Sequence, residues 1–124
     1  MTLNINKFQF NNKEPIYLQI VELVKKNIAI GDLSPGDKLP SVREMSKDLG
    51  VNPNTLQRAY GELERLGITY TRRGMGSFIS EGDNSMKDLK VDMGKDLAKK
   101  FINDMASIGI DKEEAIKILK SLEE

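Results

Sequence analysis

The strongest constraint on the fold is the segment SVREMSKDLGVNPNTLQRAYGELERLG, residues 41–67, because it contains the boundaries of two closely spaced helices. Ser41 and Glu44 have the spacing of a capping box, in which each side chain satisfies a free backbone N–H, and they predict the start of a short helix. Asn52 is a favourable cap and Pro53 a favourable first residue for the next helix. The segment therefore predicts two helices joined by the tight turn GVN.

The second of these helices has two unlike faces. The apolar face recurs at the helical period and is expected to pack on a core; it consists of Leu56, Ala59, Tyr60, Leu63 and Leu66. The opposite side, which we call the outward stripe, carries Asn54, Arg58, Gly61 and Arg65. This stripe is available to a partner, although Arg65 could equally pair with the nearby acids Glu62 and Glu64.

A helix precedes this segment and a hairpin follows it. PIYLQIVELVKKNIAIG begins with Pro15 and ends with Gly31, and its apolar residues share one helical face. ITYTRRGMGSFIS has β-type residues around a basic loop, in which Gly74 and Gly76 permit the positive φ angles of a tight turn. Helix, helix, turn, helix and basic hairpin, in that order, predict a winged helix-turn-helix whose wing is the hairpin.

The residues after Ser80 predict a helical tail. EGDNS is typical of a hinge, and large apolar residues then recur every three or four positions in a set that we call the tail stripe. The tail stripe consists of Met86, Leu89, Met93, Leu97, Phe101, Met105 and Ile108. A further helix begins at its cap, Asp111, with Glu114 three residues later. The residues of this helix that are expected to face inward are Ala115, Ile118, Leu119 and Leu122.

The predicted fold class is α+β, mainly α, with an N-terminal arm over residues 1–12, the winged helix-turn-helix over 13–80 and a two-helix tail over 81–124. A short helix cannot cover all of the tail stripe, and the remainder would form an exposed apolar patch of the kind that marks an interface. The tail stripe therefore predicts a homodimer. The apolar residues of the arm are expected to join either the core or the dimer; they are Leu3, Ile5, Phe8 and Phe10.

The sequence contains neither cysteine nor histidine, and this limits the catalytic mechanisms and metal sites that the chain can support. Thiol nucleophiles, imidazole bases, disulfides and the usual zinc ligands are removed, and no glycine-rich phosphate loop is present. We therefore expect a protein that is not an enzyme and that needs no metal or cofactor. It has neither the run of about 20 apolar residues of a membrane span nor a signal peptide, so we expect a cytoplasmic location without membrane contact.

The outward stripe has chemistry suited to double-stranded DNA, whose major groove admits one α-helix. A recognition helix presents its first residues to base edges, where Asn54 is suited to adenine and Arg58 to guanine. Thr55 is better placed for a phosphate or for the helix start. The net charge of zero gives no support for nucleic-acid binding, so this hypothesis depends on where the residues lie.

Basic residues also flank the predicted recognition helix. Arg43 lies in the first turn of the preceding helix, and Arg72 and Arg73 lie at the wing, where they could clamp phosphates. An arginine at a wing tip can also enter a narrow minor groove, and Gly74 would permit close contact there.

Three segments together resemble the GntR family of bacterial transcription regulators: PIYLQI, GDLSPGDKLPSVREMSKDLGVNPNTLQRAYGELERLGI and RRGMGSFIS, within residues 15–80. VNPNTLQRAYGELE is similar to the YtrA-type subgroup, whose members carry a short helical tail. The resemblance implies a dimer that binds a palindromic operator, usually as a repressor and often of a transport operon near its own gene. It also implies that Arg43 contacts DNA and that Gly74 approaches the minor groove.

The third helix departs from the common family pattern SRxTVRxAL. Asn52 replaces the serine, while Pro53 and Gln57 replace the two arginines, whose contacts therefore do not carry over. Arg58 belongs to the subgroup's NPNTxxRAY pattern and is expected to take over part of their role. Capping alone explains Asn52, and a direct DNA role for it stays open. The candidate DNA-binding residues are Arg43, Asn52, Asn54, Thr55, Gln57, Arg58, Arg65, Arg72, Arg73 and Gly74.

Two alternatives remain compatible with the sequence. A winged helix can serve as a protein-interaction module, although such a surface would more naturally carry aromatic or aliphatic anchors than the outward stripe. The tail dimer could also form a small pocket for an effector that gates DNA binding, but no convergent polar group identifies a ligand.

Overall fold

The structure, a computed structural model, describes residues 8–81 and 84–123, apart from the side chains of residues 84–87. Its elements in chain order are α1 Ile16–Ala29, α2 Val42–Leu49, α3 Pro53–Arg65, β1 Thr69–Arg72, β2 Gly76–Ile79, α4 Asn84–Ser107 and α5 Lys112–Ser121. These elements confirm the predicted mainly helical fold, with its winged helix-turn-helix and two tail helices. The chain divides into two compact units, and the boundary lies between Leu89 and Lys90, inside α4.

The local signals of the helix-turn-helix act as predicted. Ser41 Oγ accepts a hydrogen bond from the Glu44 N–H (3.1 Å), and Glu44 Oε1 accepts one from the Ser41 N–H (3.0 Å). At the start of α3, Asn52 Oδ1 accepts a hydrogen bond from the Asn54 N–H (2.8 Å), and Pro53 is the first helical residue. Because helix starts otherwise leave backbone donors free, these bonds fix where α2 and α3 begin.

The core of the first unit brings together side chains from α1, α2, α3, the wing and the link between α1 and α2. Its buried members are Ile20, Val21, Val24, Leu33, Leu39, Met45, Leu56, Ala59, Tyr60, Leu63, Ile68 and Ile79. The Tyr60 hydroxyl donates to the Pro40 carbonyl (2.6 Å), so its polar end is satisfied despite burial. The prediction for Leu66 is wrong, since it is 38% exposed; it is the C-cap at which the chain leaves α3.

The wing is the predicted antiparallel hairpin of β1 and β2, with Tyr70 opposite Phe78. Gly74 in the turn has φ +78°, and Gly76 at the start of β2 has φ +114°. Residues with a Cβ rarely adopt these angles, so the tight turn depends on the two glycines, as predicted.

The link before α2 runs along β2 and extends the wing. The Leu39 N–H donates to the Ser77 carbonyl (2.9 Å), and the Ile79 N–H donates to the Asp37 carbonyl (2.8 Å). No local signal in the sequence specifies the strand with which this link pairs. The pairing places Lys38 beside the wing, in a bridge to β2.

The described part of the N-terminal arm is fastened to the first unit through Gln19 of α1, which is buried. The Gln19 amide oxygen accepts from the Asn11 N–H (2.9 Å), and its amide nitrogen donates to the carbonyls of Asn11 (3.0 Å) and Glu14 (2.8 Å). Phe10 packs against the core, and the Phe8 ring meets it edge to face at 4.7 Å. Of the two options left open for the arm, Phe10 therefore takes the core, while Leu3 and Ile5 lie outside the described residues.

The second unit consists of the remainder of α4 together with α5. Asp111 Oδ1 accepts from the Glu114 N–H (2.9 Å), which confirms the predicted cap of α5. The apolar face of α5 is covered at its beginning and open at its end, since Ala115 is fully buried, Leu119 is 50% exposed and Leu122 is 65% exposed. The expectation that Leu119 and Leu122 face inward is therefore wrong within one protomer.

The tail stripe is only partly covered. Leu89 is buried, and Met93, Phe101 and Met105 are half-buried. Leu97 and Ile108, by contrast, are 66% and 72% exposed. The side chain of Met86 lies outside the described residues. Across the described ranges, no helix is long and apolar enough to cross a membrane.

Candidate DNA-binding surface

Helix α3 is buried along one side and open along the other. Leu56, Ala59 and Leu63 are fully buried, so they fix α3 against the core. The exposed residues of α3 and its cap include Asn52, Asn54, Gln57, Arg58, Gly61 and Arg65. Its N-terminus also carries the positive end of the helix dipole, which favours an approaching phosphate. A rigidly held helix with a polar outer surface meets the requirement for insertion into a groove.

In the first turn of α3, one candidate acts as the cap and the next is free to meet a partner. The Asn52 carboxamide oxygen is occupied by the Asn54 N–H, so capping is an observed role of Asn52. The Asn54 side chain is exposed. Thr55 is half-buried, and its N–H donates to the Asn52 carbonyl (3.0 Å), which places it at the helix start.

Arg58 lies against an aromatic ring that is missing from the sequence-based candidates. Its Cζ is 3.9 Å from the ring centroid of Tyr17, in the first turn of α1, which is within the range of cation–π attraction. Tyr17 is partly buried and packs against the core. No sequence signal pairs these two residues, because their contact depends on how α1 packs against α3.

Arg65 is held by an acid of its own helix. Its Nε donates to Glu62 Oε1 (2.8 Å), and its Nη2 donates to Glu62 Oε2 (2.6 Å). These hydrogen bonds from Arg65 lower the pKa of Glu62, and the same bonds raise the pKa of Arg65. The structure thus shows the paired alternative that the sequence left open, and a DNA acceptor would have to displace Glu62 to reach these donors.

Aromatic rings and one acid hold the wing. The Tyr70 and Phe78 rings stack with centroids 5.8 Å apart, and Arg72 Cζ lies 5.4 Å from the Phe78 centroid. Glu64, near the end of α3, accepts a hydrogen bond from the Thr71 N–H of β1 (3.1 Å). Since strand edges otherwise present unpaired donors, this bond satisfies one of them and ties the wing to α3.

The remaining basic candidates are exposed on elements next to α3. Arg43 is exposed in the first turn of α2, and Arg73 and Gly74 are exposed in the wing turn. The structure adds Lys38, which is exposed and whose Cε lies 3.1 Å from where a Cβ on Gly76 would be. Sequence analysis missed Lys38 because its place beside the wing results from the unpredicted strand pairing.

Metal ligation has no support in the described ranges, which contain no group of three or more His, Cys, Asp or Glu side chains able to hold an ion. The surface formed by α2, α3 and the wing offers guanidinium, ammonium and amide donors instead. Such donors match the acceptors of phosphates and of base edges.

The family model described as "Bacterial regulatory proteins, gntR family" matches residues 16–79, the range from α1 to β2. The chain is 45% identical over 116 residues to the "Uncharacterized HTH-type transcriptional regulator YhcF" of Bacillus subtilis, which covers 94% of this chain and 96% of YhcF. It is 41% identical over 109 residues to the "HTH-type transcriptional repressor YtrA" of the same organism, which covers 87% of this chain and 84% of YtrA.

Solved structures agree with these sequence matches. A GntR family transcriptional regulator from Listeria monocytogenes superposes with a TM-score of 0.83 at 44% identity, covering 92% of this chain and all (100%) of that one. The DNA-binding domain of AraR, solved in complex with operator ORX1, superposes with a TM-score of 0.54 at 28% identity, covering 58% of this chain and 93% of that one.

Proposed function

This chain belongs to the gntR family of bacterial regulatory proteins, and we propose that it is a homodimeric repressor that reads a palindromic DNA operator. The observation that carries the proposal is the division of α3 into a fully buried face and an exposed polar face. The buried face fixes the helix, and the exposed face offers Asn54, Gln57 and Arg58 from its first two turns. These side chains can donate to base edges in the major groove.

Positive groups on both sides of α3 support a DNA partner. Arg43 is exposed on α2, and Lys38, Arg72 and Arg73 are exposed beside or within the wing. Phosphate contacts of this kind fix the register of a protein on the duplex, and base contacts from α3 would then supply selectivity. The names of the relatives agree with this proposal, since YtrA is called a repressor and AraR was solved with its operator.

The open part of the tail supports the dimer. Leu97 of α4, Ile108 just after it, Leu119 of α5 and its C-cap Leu122 are large apolar side chains with half or more of their surface exposed. A second copy of the chain would cover them and would relate the two α3 helices by a two-fold axis. The recognition helices would then meet half-sites about 10 base pairs apart, or a multiple of that spacing.

The test is fluorescence-anisotropy titration of the purified protein with the DNA upstream of its own gene and with a scrambled duplex of equal length, at two salt concentrations. We expect preferential binding to the upstream DNA that persists at the higher salt, together with an affinity that falls linearly with salt on logarithmic axes. Arg58→Ala and Arg73→Ala should weaken this binding. Lys117→Ala, which removes an exposed charge from α5, is the matched control and should leave binding unchanged.

Unchanged operator binding in both arginine variants would contradict the proposed reading surface. A complete lack of DNA binding by the wild-type protein, at any salt concentration, would favour the protein-interaction alternative. Equal affinity of the wild-type protein for upstream and scrambled DNA would contradict sequence reading at that site.

A second candidate function is gating by a small anionic molecule, and it is favoured by an open cleft of about 490 Å³ in the second unit. The cleft is lined by Lys95, Ala98, Lys99, Ile102, Asn103 and Lys112. A lining that combines Ala98 and Ile102 with three lysines would suit a ligand with an apolar body and an acidic group. A thermal-shift screen with medium-chain carboxylates should raise the melting temperature of the wild-type protein and not that of Lys99→Glu; no shift in either would contradict this role.

A further inference from the structure

We propose that Tyr17 is a positioning residue that sets DNA selectivity through Arg58. The inference deepens the proposed function and rests on it. Tyr17 lies on α1, outside the helix-turn-helix segment, and it is absent from the candidates that the sequence supplies. Its role would be to hold the Arg58 guanidinium in one orientation on the outer surface of α3.

The Tyr17 ring is suited to act as a fixed platform. It is partly buried and packs against the hydrophobic core, in which Ile20 and Val24 of the same helix are fully buried. Helix α3 is anchored to the same core through Leu56 and Leu63. The ring and the backbone of Arg58 are therefore held relative to each other by one set of buried residues.

The stacking geometry leaves the hydrogen-bonding edge of Arg58 available. Cζ of Arg58 lies over the Tyr17 ring, 3.9 Å from its centroid, and a guanidinium that stacks on a ring at such a distance contacts it with its planar face. The N–H donors of a guanidinium lie in its plane and point outward from its edge. A stacked arginine can therefore still donate two parallel hydrogen bonds to guanine O6 and N7.

Arg65 provides the contrast within the outward stripe. Its Nε and Nη2 donate to the Glu62 carboxylate, so those donors are already used. The guanidinium of Arg58 contacts the Tyr17 ring, whereas the guanidinium of Arg65 uses N–H groups on its edge to bind the Glu62 carboxylate. Of these two arginines, only Arg58 is restrained in a way that keeps its reading edge available.

A restrained Arg58 would raise selectivity more than general affinity. A free arginine on a helix surface has many rotamers, and it loses that freedom when it binds a base edge. A restraint imposed before binding reduces this loss of side-chain conformational entropy. The benefit arises only at a site where the N–H edge of the restrained guanidinium already faces the base that it binds. Contacts with phosphates at any sequence gain less, because they tolerate many arginine orientations.

The experiment compares Tyr17→Leu, Tyr17→Phe and Arg58→Ala, with Leu18→Ala as a neighbouring α1 control. The probes are the duplex that wild-type protein enriches most strongly from a random DNA pool and a scrambled duplex of equal length. Affinities for both probes are measured by anisotropy, and melting temperatures confirm that each variant is folded. In the free proteins, NMR chemical shifts of the Arg58 δ protons report the ring stack directly.

We expect Tyr17→Leu to lower the ratio of selected to scrambled affinity by about three- to five-fold, in line with the strength of an exposed cation–π contact. Tyr17→Phe should largely retain the ratio, because it keeps the ring. The Arg58 δ protons should lose their upfield ring-current shift in Tyr17→Leu alone. Adding Tyr17→Leu to Arg58→Ala should cause no further loss, because both changes remove the same interaction.

Three results would overturn the inference while leaving the proposed function intact. One is a selectivity ratio that survives Tyr17→Leu. Another is an equal loss in Tyr17→Phe and Tyr17→Leu, which would assign the effect to the hydroxyl group. The third is additive loss in the double variant. If the wild-type protein enriches no sequence and binds the scrambled duplex equally well, the proposed function itself fails, and the positioning role fails with it.

Discussion

Helices α3 and α4 are both amphipathic, but only α3 has its apolar side fully covered by its own chain. Leu56 and Leu63 of α3 are completely buried, whereas Leu97 of α4 and Ile108, the first residue beyond it, are 66% and 72% exposed. The open side of α3 is polar, and the open side of α4 is partly apolar. A single protomer thus completes the packing of α3 but leaves α4 short of a partner, as expected if one helix meets DNA and the other meets a second copy of the chain.

The largest expected effect is a difference in stability: truncating a leucine of α3 should cost far more unfolding free energy than truncating a leucine of α4. Leu63→Ala should lower the free energy of unfolding by about 2–5 kcal/mol, because it leaves a cavity in a fully buried site. Leu97→Ala should change it by less than about 0.5 kcal/mol at protein concentrations low enough to keep the chain monomeric. Urea denaturation followed by circular dichroism measures both. Equal losses in the two variants at low concentration would break the comparison, because Leu97 would then be packed within the protomer.

The next largest effect should be on the dissociation constant of the homodimer. Leu97→Glu should weaken the dimer by at least about 2 kcal/mol, or roughly 30-fold in dissociation constant, because it would bury an unpaired charge. Sedimentation velocity over a concentration series measures the shift. Lys117→Glu, a charge change of the same sign and larger size on α5, is the control and should leave association nearly unchanged. A wild-type chain that sediments as a monomer at every concentration would contradict the role assigned to α4.

A smaller effect, on DNA binding, should come from removing the Glu62–Arg65 ion pair of α3. Glu62→Gln frees the donors of Arg65, so we expect tighter binding to DNA of any sequence and a salt slope steeper by about 0.9 for each added phosphate contact, or about 1.8 for a dimer that gains one contact per protomer. Glu113→Gln makes the same charge change on α5 and should leave the slope as it is. An unchanged slope in Glu62→Gln would indicate that Arg65 does not reach the DNA even when it is released.

The same pair has a defined pH dependence. The hydrogen bond from Arg65 holds the pKa of Glu62 below its ordinary value of 4.5. A carboxyl group with a lowered folded-state pKa stabilises the protein above its unfolded pKa, and this contribution is lost as the pH falls through the folded value. The stability difference between wild type and Glu62→Gln should therefore be constant near neutral pH and shrink below about pH 4.5. A difference that instead grew on acidification would have the wrong sign for this pair.

Sequence alone predicts the parts of the structure that local signals determine. The caps at Ser41 and Asn52 and the turn at Gly74 depend on neighbouring residues, and each was predicted correctly. The pairing of Lys38 with the wing and the stack of Tyr17 on Arg58 depend on how distant elements pack, so no local pattern reveals them. The contribution of each candidate to DNA binding stays a prediction.

The tail shows a different limit of sequence-based reasoning. Helical periodicity identifies the apolar faces of α4 and α5, but it does not say whether one protomer or two will cover them. This is why Leu119 and Leu122 were expected to face inward and are instead exposed. Their exposure is consistent with a cover that comes from outside the protomer.

The smallest expected effect uses a glycine within each of the two helices compared above. Gly61 of α3 and Gly94 of α4 are helical, and a Cβ built on either meets no atom within 4 Å. Alanine at each position should therefore stabilise the helix by about 0.5–1 kcal/mol, because glycine loses more backbone freedom on folding. Thermal unfolding of Gly61→Ala and Gly94→Ala measures the gain.

The same two variants also test which surface is used in binding. If the outer surface of α3 meets DNA closely at Gly61, Gly61→Ala will gain stability and lose DNA affinity, while Gly94→Ala will keep its DNA affinity per dimer. Loss of the dimer in Gly94→Ala would indicate that a partner helix packs against α4 at that glycine. A gain in stability in both variants, with no loss of DNA binding or of the dimer, would show that neither surface requires a glycine.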